Sequence, residues 1–267
     1  MDHDSRTHSI IDKREKWISF ARKLLDLCVE IQRAANVQVT EKGFHDPKVL
    51  ALALLGRTYL NLKGVIAVGE NGLAVEARIL TRSCYENLIF VARLVEKGDE
   101  FVDQMIDDDL KSTRSRGEFV LEDISDLDPL GEEMAGQLHE RLQQLKDRRP
   151  RARFINTKDA AKYSVIKPAY LFYSQLSGDS AHPSITALKR HLIRLVENGE
   201  IVLGLDIHPT ERGTEVADTV NIACNAVLGT CVAVNQILGF TEASSLISSF
   251  AAEYQEIGGW RKPLNVG

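Results

Sequence analysis

The chain has 267 residues, of which 44% are hydrophobic and 27% are charged, and its formal net charge is −5 at pH 7. A chain of this length can bury a sufficient hydrophobic core without disulfides or a structural metal. The negative charge argues against a protein that binds polyanions over its whole surface, so any such role falls to a local basic patch.

Helical periodicity predicts an all-α fold, a multi-helix bundle with one small β-hairpin near residues 192–207. The hairpin is predicted because Asn198-Gly199, a two-residue turn signal, stands between two apolar runs. The predicted helices cover approximately residues 11–37, 47–68, 73–96, 99–119, 131–146, 157–163, 168–176, 184–191, 209–240 and 244–257. Together they predict a single helical domain, in which residues 1–44 pack on a core of residues 45–240 and residues 241–267 form a C-terminal helix and tail.

Particular residues set some of these boundaries. Pro47 suits the first turn of the second helix, and the residues 69–72, Gly-Glu-Asn-Gly, indicate a tight turn before the third. Thr157 is the predicted N-cap of a short helix. Gly178 is predicted to end the helix that begins near Pro168.

Residues 219–241 contain no charged side chain. Their asparagines would be unfavourable in hydrocarbon and flanking basic anchors are missing, so a central helix of a soluble bundle is preferred to a membrane span. The first six residues lack the apolar core of a secretory signal, which predicts a cytoplasmic protein.

The cysteines occur in apolar helical patterns and form no C-x-x-C pair, so we predict buried, reduced thiols. They are Cys28, Cys84, Cys224 and Cys231. The sequence contains no H-E-x-x-H motif, no P-loop and no G-x-G-x-x-G motif. We therefore predict neither a metal site nor a cofactor.

The third helix carries charged residues at a spacing of four, namely Arg78, Arg82 and Glu86, opposite a stripe of alanine and leucine. One interpretation is a solvated face with weak ion pairs, each worth about 0.3 kcal/mol. The other follows from the apolar neighbours Ile79 and Tyr85. Charges enclosed in this way would be paired, and would either brace the fold or hold a polar ligand.

A second polar segment, residues 173–184, collects hydroxyls and one histidine near a helix end. Its polar members are Tyr173, Ser177, Asp179, Ser180, His182 and Ser184. His182 is the candidate for proton transfer, alone or as the base for a serine nucleophile. The alternative is that the hydroxyls cap helix ends and that His182-Pro183 forms a rigid connection. The sequence has no G-x-S-x-G motif to support a hydrolase.

The long uncharged helix adds a stripe of amides, which includes Asn221, Asn225 and Asn235. Such a stripe fits an internal hydrogen-bond network, a pocket wall or a subunit interface. We hypothesise that it faces Arg82, Glu86 and His182. If the stripe forms a subunit interface, the predicted partner is a second copy of the chain in a homodimer.

A basic run, in the second half of the fifth predicted helix and the loop after it, is a candidate contact for RNA phosphates. The residues that would make it are Arg141, Arg148, Arg149, Arg151 and Arg153. A run of this kind is more often a solvated helix end, and no nearby aromatic platform for base stacking is evident.

The two polar segments resemble those of an uncharacterised, mainly bacterial, all-helical family, a domain of unknown function. Its members combine an arginine-rich segment, R-x-x-x-E-N, with a later Y-x-x-L-S…H-P-S. Here Arg78, Arg82, Glu86 and Asn87 match the first segment. The second motif matches Tyr173, Leu176, Ser177, His182, Pro183 and Ser184. The resemblance covers approximately residues 45–240.

This family is in turn faintly similar to the HEPN superfamily, many of whose members are ribonucleases of toxin and phage-defence systems. Their active motif is an arginine followed, after four to six residues, by a histidine. None of the seven histidines has an arginine at that spacing. Only Arg82 and His182, from different helices, would form such a pair in space.

Two functions therefore stay open. The first is a non-catalytic binding or interaction module with an internal polar site, whose ligand-binding residues would be Arg78, Tyr173, Ser177, Asn221 and Asn225. The second is a HEPN-like, metal-independent ribonuclease with catalytic residues His182, Arg82 and Glu86. There His182 would transfer protons, and Arg82 or Arg78 would stabilise the phosphorane charge.

Overall fold

The structure is a computed structural model that describes residues 3–38, 40–124, 129–162, 166–180, 184–197, 200–207, 209 and 213–259. It confirms the all-α fold with one small antiparallel hairpin. The helices are α1 (His3–Ala34), α2 (Pro47–Glu70), α3 (Ala74–Lys97), α4 (Asp99–Ile124), α5 (Pro129–Arg148), α6 (Thr157–Lys162), α7 (Ala169–Ser180), α8 (Ile185–Leu188), α9 (Glu215–Ile237) and α10 (Ser244–Glu256). Short 3₁₀ turns at Gly43–His45 and Lys189–His191 precede α2 and the hairpin, which consists of β1 (Leu192–Glu197) and β2 (Glu200–Leu205).

The uncharged helix α9 is central, and it packs against α1, α2 and α3. Its Val220, Ala223 and Val227 have no exposed surface. Burial on this scale is the main favourable term in folding, at about 25 cal/mol for each Å² of apolar surface. Packing of α3 against α9 therefore fixes the position of α3 and of its charged residues.

All four cysteines are free and buried, which confirms the prediction of reduced core thiols. Burial raises the pKa of Cys84 to about 12. The sulfurs of Cys28 and Cys231 lie 3.8 Å apart between α1 and α9. The pKa values of Cys224 and Cys231 are also raised, so these two thiols and that of Cys84 stay protonated at neutral pH. All four cysteine side chains serve as small apolar groups in the core.

Two helices, α2 and α9, are long and apolar enough to cross a membrane by length and composition alone. In their most apolar windows, 39% of the α2 residues and 67% of the α9 residues are buried in the bundle. The core helix of a soluble protein meets the same criterion, so a cytoplasmic location and the lack of a membrane partner stay predictions.

Several predicted boundaries are wrong. The acidic stretch after residue 118 continues α4 to Ile124 because it contains no helix breaker. Helix α7 runs through Gly178 to Ser180, and α9 begins at Glu215, after Gly213 has turned the chain with φ +59°. Helix α6 is capped by Asn156 and not by Thr157. The side-chain oxygen of Asn156, Oδ1, accepts hydrogen bonds from the backbone N–H groups of Lys158 and Asp159.

Helix α2 begins as Pro47 predicts, and Asp46 is its N-cap. One carboxylate oxygen of Asp46 accepts a hydrogen bond from the Lys48 N–H at 2.8 Å, and the other accepts one from the Thr40 hydroxyl at 2.9 Å. The Lys48 N–H bond in particular lowers the pKa of Asp46 from its ordinary value of 3.8. The ionised carboxylate therefore stabilises the start of α2.

We expect Asp46→Ala to lower the free energy of unfolding by about 1 kcal/mol at pH 7, the usual effect of losing an N-cap. Because folding lowers this pKa, the stabilisation is present above the ordinary carboxyl pKa and is lost as the pH falls through the folded value. Urea denaturation of both proteins at pH 7 and at acidic pH measures this. A difference that persists undiminished at the lowest pH would contradict the role of the carboxylate charge.

Candidate functional site

The two polar segments meet between α3 and α7, around the guanidinium of Arg82. Its Nη2 donates a hydrogen bond to the hydroxyl of Tyr173 at 2.6 Å, and its Nε donates one to the Ser177 hydroxyl at 2.9 Å. The guanidinium carbon also lies 4.6 Å from the centroid of the Tyr173 ring. Glu86 is an outer member, since its carboxylate is 3.7 Å from Nη1 of Arg82. We call these four residues the Arg82 site.

The spacing of the helices explains this geometry. Arg82 and Glu86 are one turn apart on α3, and Tyr173 and Ser177 are one turn apart on α7, so each pair presents one face. The Arg82 and Glu86 side chains are 26% and 32% exposed. The site therefore lies at the surface edge of the helix interface, and it is neither sealed in the core nor fully solvated.

Ser177 is already fully engaged in this arrangement. Its hydroxyl donates to the backbone carbonyl of Tyr173 at 2.7 Å while it accepts from Arg82. A nucleophilic serine needs its proton directed at a base. The geometry of Ser177 instead resembles a structural helix hydroxyl that also anchors an arginine.

His182 and Pro183 lie outside the described residues, as do the side chains of Asp179 and Ser180, so the proton-transfer role of His182 stays a prediction. Ser184 is described, and it caps α8. Its hydroxyl oxygen accepts a hydrogen bond from the Ala187 N–H at 3.1 Å, and its O–H group donates one to the Gly178 carbonyl at 2.9 Å. For Ser184 the capping interpretation is therefore the one that the contacts support.

Arg78, one turn before Arg82, contacts a different carboxylate. Its Nη2 lies 3.3 Å from Oε1 of Glu215 at the start of α9, and Nη2 of Arg190 lies 3.5 Å from the same oxygen. Burial lowers the pKa of Arg78, and the charge of Glu215 opposes that shift. Arg78 and Arg82 therefore belong to neighbouring sites, and not to a single charged stripe.

A cleft of about 720 Å³ opens beside these charges, between α3, α7 and α9. Arg78, Arg190, Glu215 and Asp218 are its charged residues, and polar and apolar side chains line the rest. The apolar part consists of Phe172, Leu176 and Ile222. We call it the α3–α7–α9 cleft. The sequence analysis missed Arg190 and Glu215, and the one available signal was that Glu215 is an acidic residue at the start of an otherwise nearly uncharged helix.

The amide stripe of α9 forms an internal network, one of the three interpretations that the sequence left open. The amide oxygen of Asn225 accepts from the Tyr85 hydroxyl at 3.2 Å, and that of Asn221 accepts from the Tyr254 hydroxyl at 2.8 Å. These contacts do not support the hypothesis that the stripe faces Arg82 and Glu86, and the part that concerns His182, which lies outside the described residues, stays a prediction. Tyr85 and Glu86 are consecutive on α3 and point in different directions, so α9 meets the tyrosine and not the carboxylate.

Asn87 of the first motif is also structural. Its side chain is buried, and its Nδ2 donates to the Thr58 hydroxyl of α2 at 3.1 Å. The Thr58 hydroxyl donates in turn to the Leu54 carbonyl at 2.8 Å. This chain satisfies two buried polar side chains and couples α3 to α2.

The arginines of the basic run lie in three different environments. Arg149 pairs with Asp103 at 2.9 Å and Asp107 at 3.1 Å on α4, whereas Arg141 and Arg148 are exposed on α5. Arg151 and Arg153 line a separate cleft of about 480 Å³. Phe154, 54% exposed, lines the same cleft, so an aromatic side chain does stand beside the basic run, contrary to the sequence analysis.

Among the described residues, no group of three or more histidine, cysteine, aspartate or glutamate side chains is arranged to hold a metal ion. Beside the carboxylates of Glu215 and Asp218, the α3–α7–α9 cleft contains the guanidinium groups of Arg78 and Arg190, and the Arg82 site contains one more. Cationic donors of this kind suit an anionic group.

Residues 48–201 match the model of a family of unknown function, DUF5677. This match spans more than half of the chain, and the chain therefore belongs to that family. It confirms the resemblance to a domain of unknown function that the two motifs carried, and it includes both motifs. No curated protein and no solved structure matches the chain.

Proposed function

We propose that the protein is a non-catalytic binding module and that the α3–α7–α9 cleft holds a small molecule with an anionic group and an apolar body. The observation that carries this proposal is a buried N–H group of Arg190. Its Nε is buried and has no hydrogen-bond partner among the described residues, while its Nη2 makes only a long contact with Glu215. Buried N–H groups of this kind are normally paired.

The other walls of the cleft suit the same ligand. Phe172, Leu176 and Ile222 offer an apolar surface opposite the arginines. A volume of about 720 Å³ is within the range of sites for small molecules. The carboxylate of Asp218 is paired with Lys13 at 2.7 Å, so it opposes an anion in the cleft less than an unpaired carboxylate would.

The Arg82 site supports this function by holding the cleft wall in place. Tyr173 and Ser177 are on α7, and Phe172 and Leu176 of the same helix line the cleft. A ligand site works best when its wall helices are fixed by further contacts. In this proposal Tyr173 and Ser177 position the site and do not touch the ligand.

A titration with 4-phenylbutyrate tests the cleft, with 4-phenylbutanol as the neutral analogue. We expect the acid to bind more tightly than the alcohol, and Arg190→Gln to weaken binding of the acid about tenfold or more, a change that calorimetry resolves. Arg194→Gln is the matched control, because Arg194 is exposed on the hairpin. Equal affinities for acid and alcohol, or equal losses in the two variants, would contradict the proposal.

The ribonuclease is the second candidate, and one observation favours it. Arg151, Arg153 and the exposed Phe154 share a cleft, an arrangement that suits single-stranded nucleic acid. Against it, two of the Arg82 N–H groups are already used by Tyr173 and Ser177. Cleavage of single-stranded RNA that His182→Ala abolishes at unchanged melting temperature would favour the ribonuclease over the binding module.

A further inference from the structure

The β1–β2 hairpin presents an apolar face that the described part of the chain leaves uncovered. The register pairs Leu192 with Leu205, Arg194 with Leu203 and Val196 with Ile201, so these six side chains lie on one face of the ribbon. We call it the outer face. Its five aliphatic side chains are between 48% and 73% exposed.

The opposite face of the ribbon is better covered. There Ile193, Leu195 and Val202 are between 37% and 40% exposed, and Gly204 leaves space that the first two fill. A strand with one face in water usually alternates polar and apolar side chains, and neither strand of this hairpin does so. Strands that are apolar on both faces are typical of sheets covered on both sides.

We propose that the outer face is where two copies of this chain associate, ribbon against ribbon. An isolated two-stranded hairpin is marginal in water, and a second apolar layer stabilises it. The composition of the outer face, five aliphatic side chains to one charge, favours a second copy over a foreign partner. Interfaces between identical chains are more apolar than those of transient complexes, which are no more apolar than the rest of a surface.

The position of the one charge is compatible with self-association. Arg194 lies across the ladder from Leu203. A two-fold axis that runs parallel to the strands, between the two ribbons, exchanges β1 with β2. Arg194 of each copy then lies over Leu203 of the other copy, so that like charges do not meet at the centre and the arginine stem covers apolar surface.

The size of the outer face predicts a dimer of moderate affinity. A six-residue strand spans about 20 Å, and two such strands cover less than the roughly 800 Å² that each partner contributes to a standard interface. Leu188 and Ile207, which flank the two strands in the sequence, are also exposed. We therefore expect dissociation on dilution into the micromolar range.

Light scattering with size-exclusion chromatography and sedimentation velocity test the proposal over a dilution series from about 200 μM downwards. We expect wild type to have twice the 29.8 kDa mass of one chain at high concentration. Leu203→Asp should raise the dissociation constant about 100-fold or more and give a monomer. Leu60→Asp is the matched control: it changes a leucine of similar exposure, 64% against 67%, on the surface of α2, and it should leave the dimer intact.

Leu203 is largely exposed, so its replacement should not change the melting temperature at concentrations where wild type is monomeric. If Leu203→Asp nevertheless fails to fold, Val196→Asp on the same face replaces it. A wild type that stays monomeric throughout, or a dimer that survives the outer-face variants, would overturn the proposal. Neither result bears on the α3–α7–α9 cleft, because the cleft does not include the outer face.

Discussion

Tyr85→Ala is expected to lower the free energy of unfolding by about 4 kcal/mol, within the range of large-to-small substitutions of buried aromatic residues. Tyr85 has no exposed surface, and its ring stacks on Phe172 of α7 with centroids 5.4 Å apart. Its hydroxyl donates to Asn225 of α9 at 3.2 Å. Alanine would leave a cavity where α3, α7 and α9 meet and would leave the amide oxygen of Asn225 without this donor.

The two contributions can be separated by a second variant. Tyr85→Phe keeps the ring and removes only the hydrogen bond, so we expect it to lower the free energy of unfolding by about 1 kcal/mol. Tyr59→Phe is the matched control, because Tyr59 is half-buried on α2 and its hydroxyl forms no hydrogen bond with the described residues. Urea denaturation gives all three values. If Tyr85→Phe were as harmless as Tyr59→Phe, the hydrogen bond between Tyr85 and Asn225 would contribute nothing to stability.

The fold could be predicted from the sequence because its strongest signals are local. Apolar residues at helical spacing, together with Pro47 and the 69–72 turn, set α2 and α3 to within a few residues of Pro47–Glu70 and Ala74–Lys97. The hairpin followed from a turn dipeptide between apolar runs, and the register confirms that Glu197 pairs with Glu200 across that turn. Boundaries without a breaker, such as the end of α4, were predicted less well because helix propensity alone does not stop a helix.

The sequence predicted the two pairs of residues that form the Arg82 site, but not that the pairs meet. Residues one turn apart share a face, so Arg82 with Glu86 and Tyr173 with Ser177 could each be grouped from the sequence. That the two pairs meet depends on how α7 packs on α3, which no local pattern specifies. The partner of Arg78 was out of reach for the same reason, since Glu215 is 137 residues away along the chain.

For the amide stripe of α9, the sequence showed the pattern of asparagines but not the groups that they contact. Asparagines on an uncharged helix must be satisfied, and the sequence offered charged groups as obvious candidates. The structure satisfies Asn221 and Asn225 with the hydroxyls of Tyr254 and Tyr85 instead. A buried tyrosine also needs an acceptor, and its aromatic ring hides this need from an argument based on hydrophobic periodicity.

Arg82→Ala is expected to lower the free energy of unfolding by about 2 to 3 kcal/mol. Hydrogen bonds from a charged donor contribute about 1.5 to 3 kcal/mol each, and partial exposure reduces this. The contact with the Tyr173 ring adds about 0.5 to 1 kcal/mol. Arg57→Ala, which removes an exposed arginine of α2, should change stability by less than about 0.5 kcal/mol.

A double-mutant cycle with Tyr173→Phe identifies the source of the effect. This variant keeps the ring and removes the oxygen that accepts from Nη2 of Arg82, so alone it should lower the free energy of unfolding by about 1 kcal/mol. Because the two residues share the bond, the double variant should lose less than the sum of the single losses. Strict additivity would show that Arg82 and Tyr173 stabilise the protein independently.

Comparison of wild type with Arg82→Ala and Arg82→Lys shows whether Arg82 braces the fold or takes part in a reaction. Arg82→Lys keeps the positive charge, but its single ammonium lacks the planar fork that reaches Tyr173 and Ser177 together. If Arg82 braces α7 against α3, lysine should recover only part of the stability, and binding of 4-phenylbutyrate should weaken in step with the stability. If Arg82 instead serves a reaction, the alanine variant should unfold like wild type and lose only activity, because a catalytic arginine in a partly open site contributes little to the fold. Urea denaturation and calorimetry on the three proteins decide between these outcomes.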